Sequence, residues 1–274
     1  MKKIAIQGIE GSNHHIVADA FFSEQISLDK CMSFDALVDS LLTKKSDCGV
    51  MAIENSIAGS IIPNYALIDS NNLHIIGEHY LKISMNFMAL KGQKIEDIKE
   101  VYSHPMALLQ CKKYFKNLPH IKLIEDKDTA EVAERIQKNQ LQGIAALASK
   151  EAAQIFDLEI LAADVQTIQN NATRFVIIQT SNSVIAEEDI NKASLKFQLD
   201  HKRGSLATIL NVLSDCKLNL TKIQSLPRIE TPWKYSFFVD VTFEDYKHYA
   251  KAKSIMNIMA EDFKVLGEYK NGHA

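Results

Sequence analysis

Two charged residues stand alone in long uncharged stretches, and chemistry is sought there first. Between Asp47 and Asp69 the only Asp, Glu, Lys or Arg is Glu54, in IENSIAGS; between Asp164 and Glu187 it is Arg174, in NNATRFVII. A charge is costly to desolvate without a partner, so a lone charge beside predicted strands points to a ligand or an ion pair. The guanidinium plane grips a carboxylate through two parallel hydrogen bonds, which makes Arg174 the candidate for holding an acidic substrate. Pairing of Glu54 with Arg174 is the alternative. Each charge has neutral hydrogen-bonding neighbours at a predicted strand end, Asn55 and Ser56 beside Glu54 and Thr173 beside Arg174.

Other polar residues divide between catalysis and helix capping. His104, in YSHPMALLQC, precedes Pro105 and a predicted helix, and Ser149 opens another helix after GIAALA; each fits a cap as well as a site. The first strand ends at Gly8 in GIEGSNHH, a strand-glycine-helix junction that offers backbone N–H groups to an anion. Glu10 and Asn13 stand where a dinucleotide fingerprint needs its second and third glycines, so the junction reads as a cap by Ser12 or Asn13, or as a carboxylate site. The four cysteines form no CxxC pair and adjacent His14 and His15 diverge on a helix, so no metal and no cofactor is expected.

The elements that would position these residues are α/β in pattern. From Lys3 to Phe175, apolar runs such as KIAIQG, CGVMAI, EVYSH, IKLIE, GIAALA and TRFVIIQ alternate with FDALVDSLLTKK, MALLQCKKYF and DTAEVAERIQKN, whose apolar residues recur at three and four. The alternation breaks at NLHIIGEHYLKISMNFMAL, where two extended segments run together, as at a crossing between two lobes with a ligand cleft. TSNSVIAEEDINK marks a domain boundary near residues 180–192. The last eighty residues then read as βαββαβ: SLKFQLD, a helix from Gly204 to Cys216, LNLTKIQSL, a turn with Pro227 and Pro232, WKYSFFVDVTF, a helix from Asp245 to Ala260, and FKVLGEY. Such a unit exposes a sheet edge that a second copy would bury. The chain is 46% hydrophobic with a formal charge of -3 and no apolar run of membrane-spanning length. Neither nucleic acid nor a membrane is expected as partner, and the location is read as cytoplasmic.

With these residues in view, the sequence resembles prephenate dehydratases that carry a C-terminal ACT regulatory domain. In order between Lys3 and Tyr269, the resemblance is carried by GIEGSNHH, GVMAIENSIAGS, IIGEHYLKI, VYSHPMALLQC, DTAEVA, AALASKEAA and NNATRF. It implies a two-lobed, periplasmic-binding-protein-like catalytic domain at 1–182, with its second lobe at about 80–165, and a ferredoxin-like ACT domain at 193–270. It implies conversion of prephenate to phenylpyruvate without metal or cofactor, in a homodimer or homotetramer. No helical extension precedes Lys3, so a dehydratase without a fused chorismate mutase is expected. By matched position Thr173 would donate to the departing hydroxyl, Arg174 would hold carboxylate and Phe175 would complete a wall. Glu54, Asn55, Ser56, His104, Ser149 and Asn171 match substrate-binding motifs.

L-Phenylalanine is the expected allosteric inhibitor, held by Gly204, Ser205, Leu206 and Ala207 at a helix start and by Gln224, Ser225, Leu226 and Pro227 on the facing strand. GSLA resembles the family's GALV, whereas QSLP departs from ESRP at two positions; Met85, Asn86 and Met106 also depart from the usual residues. A ligand-sensing protein without catalysis and an arogenate dehydratase are the alternative readings.

Overall fold

Short apolar runs form strands and the segments with three-and-four spacing form helices in a computed structural model of the chain, which describes residues 1–182, 185–200, 202–227 and 235–273. The first elements are β1 (Lys2–Gln7), α1 (Asn13–Phe21), β2 (Ile26–Cys31), α2 (Phe34–Leu42), β3 (Cys48–Asn55), β4 (Gly59–Ser60), α3 (Ile62–Ser70) and β5 (His74–Lys82). A second series comprises β6 (Asn86–Ala89), β7 (Glu100–Ser103), α4 (Pro105–Phe115), β8 (Lys122–Glu125), α5 (Thr129–Asn139), β9 (Ile144–Ala148), α6 (Lys150–Ile155) and β10 (Glu159–Ala162). β11 (Ala172–Gln179) leads into β12 (Lys192–Gln198), α7 (Ser205–Asp215), β13 (Asn219–Pro227), β14 (Tyr235–Thr242), α8 (Tyr246–Met259) and β15 (Glu261–Tyr269). Pro232 of the predicted turn and Trp233 of the following segment lie outside the described residues.

The chain divides into two compact units, residues 1–59 with 81–175 and residues 60–80 with 176–274. In the first, β1 pairs in parallel with β2 and β3, and Ala172–Phe175 of β11 follows β3. Ile4, Ala5 and Ile6 are all fully buried, as a parallel strand covered on both faces requires. A second sheet, in the order β10-β6-β9-β7-β8, is built from residues 86–162. Its strands alternate cleanly. Phe87, Ala89, Ala145 and Leu147 pack with Leu108, Cys111 and Phe115 of α4, while Met88, Ala146 and Ala148 pack with Ala130, Ala133 and Ile136 of α5.

In the second unit the order β13-β14-β12-β15, antiparallel throughout, completes the βαββαβ sheet. Leu195, Phe197, Val239 and Val241 face Ile209 and Leu213 of α7 and Tyr249 and Met256 of α8. The opposite face is not left to solvent, because residues 60–80 cover it. Lys192 Nζ donates to both Glu78 oxygens at 2.8 and 2.9 Å, Lys264 Nζ to Asn72 at 2.8 Å, and Lys222 Nζ to Ser60 Oγ at 2.8 Å. Phe238 meets the Tyr65 ring at 5.4 Å. At Gly267 an added Cβ would lie 2.1 Å from the Ile75 carbonyl oxygen, so only glycine permits this approach. These contacts are the physical reason that residues 60–80 group with the C-terminal elements, which composition around residues 180–192 does not reveal. Among the described residues no helix is long and apolar enough to cross a membrane.

Candidate active site

Glu54 and Asn55 end β3, and the backbone just beyond is fastened to the start of β11. Ser56 N donates to Ala172 O at 2.8 Å, and Ala172 N returns a bond to Ser56 Oγ at 3.0 Å. Asn55 then ties the two segments through its side chain. Its Oδ1 accepts from Ile57 N at 3.0 Å and Ala58 N at 2.9 Å, an Asx turn that turns the chain out of the strand. Backbone N–H groups can only donate, so these two bonds fix which end of the carboxamide is oxygen.

Every hydrogen further along the cluster follows from that assignment. Asn55 Nδ2 donates to Asn171 Oδ1 at 2.7 Å and to Thr173 Oγ1 at 2.9 Å. The Asn171 oxygen is thereby taken, and its Nδ2 donates to Gln110 Oε1 at 3.0 Å. Asn171 is 1% exposed and Thr173 8%. Because the Thr173 oxygen accepts from Asn55, its own proton remains to be given to a third group. The arrangement is a hydroxyl donor whose direction is set by a row of amides.

Arg174, 4% exposed, follows Thr173 in β11, and Glu54 is half-buried; both are withdrawn from solvent, as their uncharged surroundings predict. Phe175 is 1% exposed and meets the His14 ring edge-on at 5.0 Å, so its side chain is part of the packed core behind the strand. His14 lies between Phe175 and Phe34, and burial drives its pKa down to about 3, which keeps the imidazole neutral.

The two residues that fitted either a cap or a site do form caps. His104 Nδ1 accepts from Met106 N at 3.2 Å at the start of α4, and Ser149 Oγ accepts from Ala152 N at 3.0 Å at the start of α6. Ser149 Oγ also donates to Gly11 O at 2.7 Å, so both of its hydrogen-bonding directions are in use. Ser12 caps α1, with its Oγ accepting from His15 N at 3.3 Å, while Gly11 N donates to His15 Nδ1 at 3.0 Å. The glycine-helix junction therefore has its own acceptors. At Gly11, with φ +79°, a Cβ would stand 2.8 Å from Ala152 Cα, so GIEGSNHH and AALASKEAA meet where only glycine fits.

The expected effector residues fall on two faces of the C-terminal sheet. Gly204, at φ +85°, precedes α7, and Ser205, Leu206 and Ala207 form the first turn. In register, Ser225 lies opposite Phe237, which packs on the helix-bearing side, whereas Gln224 lies opposite Phe238 and Leu226 opposite Ser236 on the side covered by residues 60–80. Pro227 ends β13 opposite Tyr235.

Gln110 is the cluster member that sequence reading missed. Its signal was present in ALLQC, an uncharged polar residue next to the buried Cys111 in an otherwise apolar helix segment.

Comparison with known proteins gives these residues a context. The family model described as prephenate dehydratase matches residues 4–183. A bifunctional chorismate mutase/prephenate dehydratase of Buchnera aphidicola is 33% identical over 85% of this chain, which spans 62% of that relative. Arogenate dehydratase/prephenate dehydratase 2 of Arabidopsis thaliana is 33% identical over 97% of this chain and 72% of its own length. Among solved structures, GqqA, a quorum-quenching acylase, superposes with a TM-score of 0.87 at 25% identity, covering 98% of each chain. A prephenate dehydratase from Arthrobacter aurescens in complex with L-Phe gives 0.85 at 21% identity, covering 99% of this chain and 90% of its own, and supports the fold alone.

Proposed function

Because the chain belongs to the prephenate dehydratase family, we propose that it converts prephenate to phenylpyruvate, carbon dioxide and water. The carrying observation is the Asn55–Thr173 bond, in which the Thr173 oxygen accepts, so that its own proton can be given to a third group. Prephenate bears a carboxylate and a hydroxyl on opposite ends of a nonaromatic ring. When the carbon–carbon bond to that carboxylate breaks, its electron pair enters the ring, the ring becomes aromatic, and the carbon–oxygen bond breaks at the far end. The departing oxygen needs one proton to leave as water. Thr173 donates a hydrogen bond to that oxygen and relays a proton to it, since an aliphatic hydroxyl is too weak an acid to be the final source.

Arg174 holds a substrate carboxylate, and Glu54, Asn55, Ser56 and Asn171 line the same end of β3 and β11. Exclusion of water favours loss of the charged carboxylate as neutral carbon dioxide. Phe175, His104 and Ser149 support this site through core packing and helix caps. None of these steps requires a hydride carrier or a Lewis acid. Acylase chemistry, suggested by the resemblance to GqqA, would need an activated nucleophile; Ser149 is committed to Gly11, and Ser56 Oγ lies 3.4 Å from Asn171 Oδ1 while accepting from Ala172 N.

In this reading residues 1–182 form the catalytic domain and 193–270 an ACT domain that binds L-phenylalanine in a cytoplasmic homodimer or homotetramer. Incubating the full chain with prephenate and following phenylpyruvate by its ultraviolet absorbance tests the activity, with arogenate run in parallel for its product phenylalanine. Phenylpyruvate formation above the enzyme-free rate is expected. No turnover of either compound would leave a ligand-sensing role. Calorimetry with L-phenylalanine on the full chain tests the effector, and absence of heat would remove it.

A further inference from the structure

We infer that Gln166 is a positioning residue for the proton donor, acting through the loop that carries Asn171; this rests on the reading of Thr173 given above. Gln166 lies between β10 and β11 and is 3% exposed. Its Oε1 accepts from Met85 N at 2.8 Å, and Met85 is itself buried. As at Asn55, a backbone N–H fixes the orientation of the carboxamide. Gln166 Nε2 must then donate to Gln169 Oε1, at 3.0 Å, and Gln169 Nε2 donates back to the carbonyls of Gln166 at 2.9 Å and Asp164 at 3.1 Å. One backbone N–H therefore sets two side-chain amides that close residues 164–169 into a ring.

The ring is anchored at both ends of the site. Val165 N donates to Met85 O at 2.9 Å, so Met85 is held through its N–H and its carbonyl, and Asn171 O accepts from Ile83 N at 2.8 Å. On the other side Thr167 N donates to Gln110 O at 2.9 Å, the same residue whose side chain accepts from Asn171. Loop height above α4 and the direction of the Asn171 amide are thus set together. A shift of the loop lengthens the Asn55–Asn171 bond; Asn55 stays held by Ile57 N and Ala58 N, but its Nδ2 is no longer steadied between Asn171 and Thr173, and the Thr173 rotor is held less firmly. Gln166 touches no reacting atom, and its influence on chemistry runs through Asn171.

The test compares Gln166→Glu and Gln166→Met with the parent chain in prephenate turnover and thermal unfolding, and repeats each change in an Asn171→Ala background. Glu keeps the acceptor for Met85 N but has no N–H for Gln169, whereas Met fills the volume and keeps neither bond. The expected result is a fall of about tenfold in kcat for Gln166→Glu, with KM within about twofold and the protein folded, because orientation is lost and binding is not. In the Asn171→Ala background the same change should alter kcat by less than about twofold, since the route to Thr173 is already cut. A residue that only stabilises the fold would lower the unfolding temperature and leave kcat alone, or would multiply with Asn171→Ala. Wild-type kcat in Gln166→Glu, or an undiminished loss in the double variant, overturns the inference. If Gln166→Met fails to fold, Gln166→Glu decides. A parent chain that never turns over prephenate overturns the Thr173 reading first, and this inference with it.

Discussion

The change Asn55→Asp should damage turnover more than Asn55→Ala, although the Asp side chain is nearly isosteric with Asn. One oxygen of the introduced carboxylate keeps the bonds from Ile57 N and Ala58 N, and the other occupies the place of the Nδ2 that now donates to Asn171 Oδ1 and Thr173 Oγ1. A carboxylate there can only accept. The Thr173 proton turns toward it, and the catalytic donor is consumed by its own neighbour. A hydrogen bond to a charged acceptor is worth about 1.5–3 kcal/mol. Recovering the proton for the leaving oxygen costs that amount, which at about 1.4 kcal/mol per factor of ten is roughly 10- to 150-fold in kcat.

Asn55→Ala removes the brake as well as the guide. Thr173 then samples its three staggered wells, which costs up to about threefold in correctly aimed donor. Ile57 and Ala58 are exposed, so water replaces their lost acceptor at little cost to the fold. Steady-state kinetics on the two variants with prephenate, the enzyme-free rate subtracted, gives the order directly: wild type, then the Ala variant, then the Asp variant. An Asp variant faster than the Ala variant would refute the proton assignment, because no arrangement with Asn55 as donor to Thr173 permits it.

Thr173→Ala should lower kcat by about 10²-fold or more with little change in KM, since a donor to the leaving oxygen acts in the transition state; retained activity in steady-state assays would remove it from the mechanism. Arg174→Lys should weaken prephenate binding, as a point-like ammonium cannot reproduce the two-pronged grip, whereas normal binding with easier unfolding would favour the ion pair with Glu54. His14, held at about 3 in the fold against an ordinary 6.5, takes up a proton when the chain unfolds below pH 6.5. Its contribution is therefore complete above 6.5 and falls with pH, by about 2 kcal/mol at pH 5, and urea unfolding at pH 7.5 and 5 should show that extra loss in wild type but not in His14→Leu. Lys192→Met should destabilise the protein by about 3–5 kcal/mol by leaving Glu78 buried without its cation, and adding Glu78→Gln should restore most of it, as read by denaturant unfolding.

What was legible in the sequence depended on whether a signal was local. Alternating apolar runs gave four of the five strands of the second sheet and the βαββαβ order, because burial on alternate faces is written in successive residues. Glu54 and Arg174 stood out because desolvated charges are rare, and the segments that bear them do meet at β3 and β11. The grouping of residues 60–80 with the C-terminal sheet was not legible. Lys192, Ser194, Lys196 and Gln198 alternate with Ala193, Leu195 and Phe197, a pattern that periodicity reads as one wet face and one dry face. Both are buried, and the polar face tolerates it because acceptors meet it from two sides, Glu78 and Asp69 from residues 60–80 and Asp240 and Asp262 from the sheet itself. β2, α3 and β10 also passed unnoticed among stronger neighbours. Gln110 and Gln166 left almost no trace, because an uncharged amide disturbs neither charge nor hydropathy and acquires its role from partners 61 and 81 residues away in the chain.

The same absence of charge explains why amides suit this position. The proposed substrate carries two carboxylates, so an acid in place of Asn55 would add a second negative charge to that of Glu54 and oppose binding, and a cation there would compete with Arg174 for the carboxylates. A carboxamide orients a hydroxyl at no net charge, provided something fixes which end is oxygen. Here that choice is made by backbone N–H groups: Ile57 and Ala58 for Asn55, and Met85 for Gln166. Backbone donors do not titrate, so the direction of the Thr173 proton is set by the fold itself and should hold across the pH range in which the fold survives. The amides that aim the proton therefore add no pH dependence of their own to kcat.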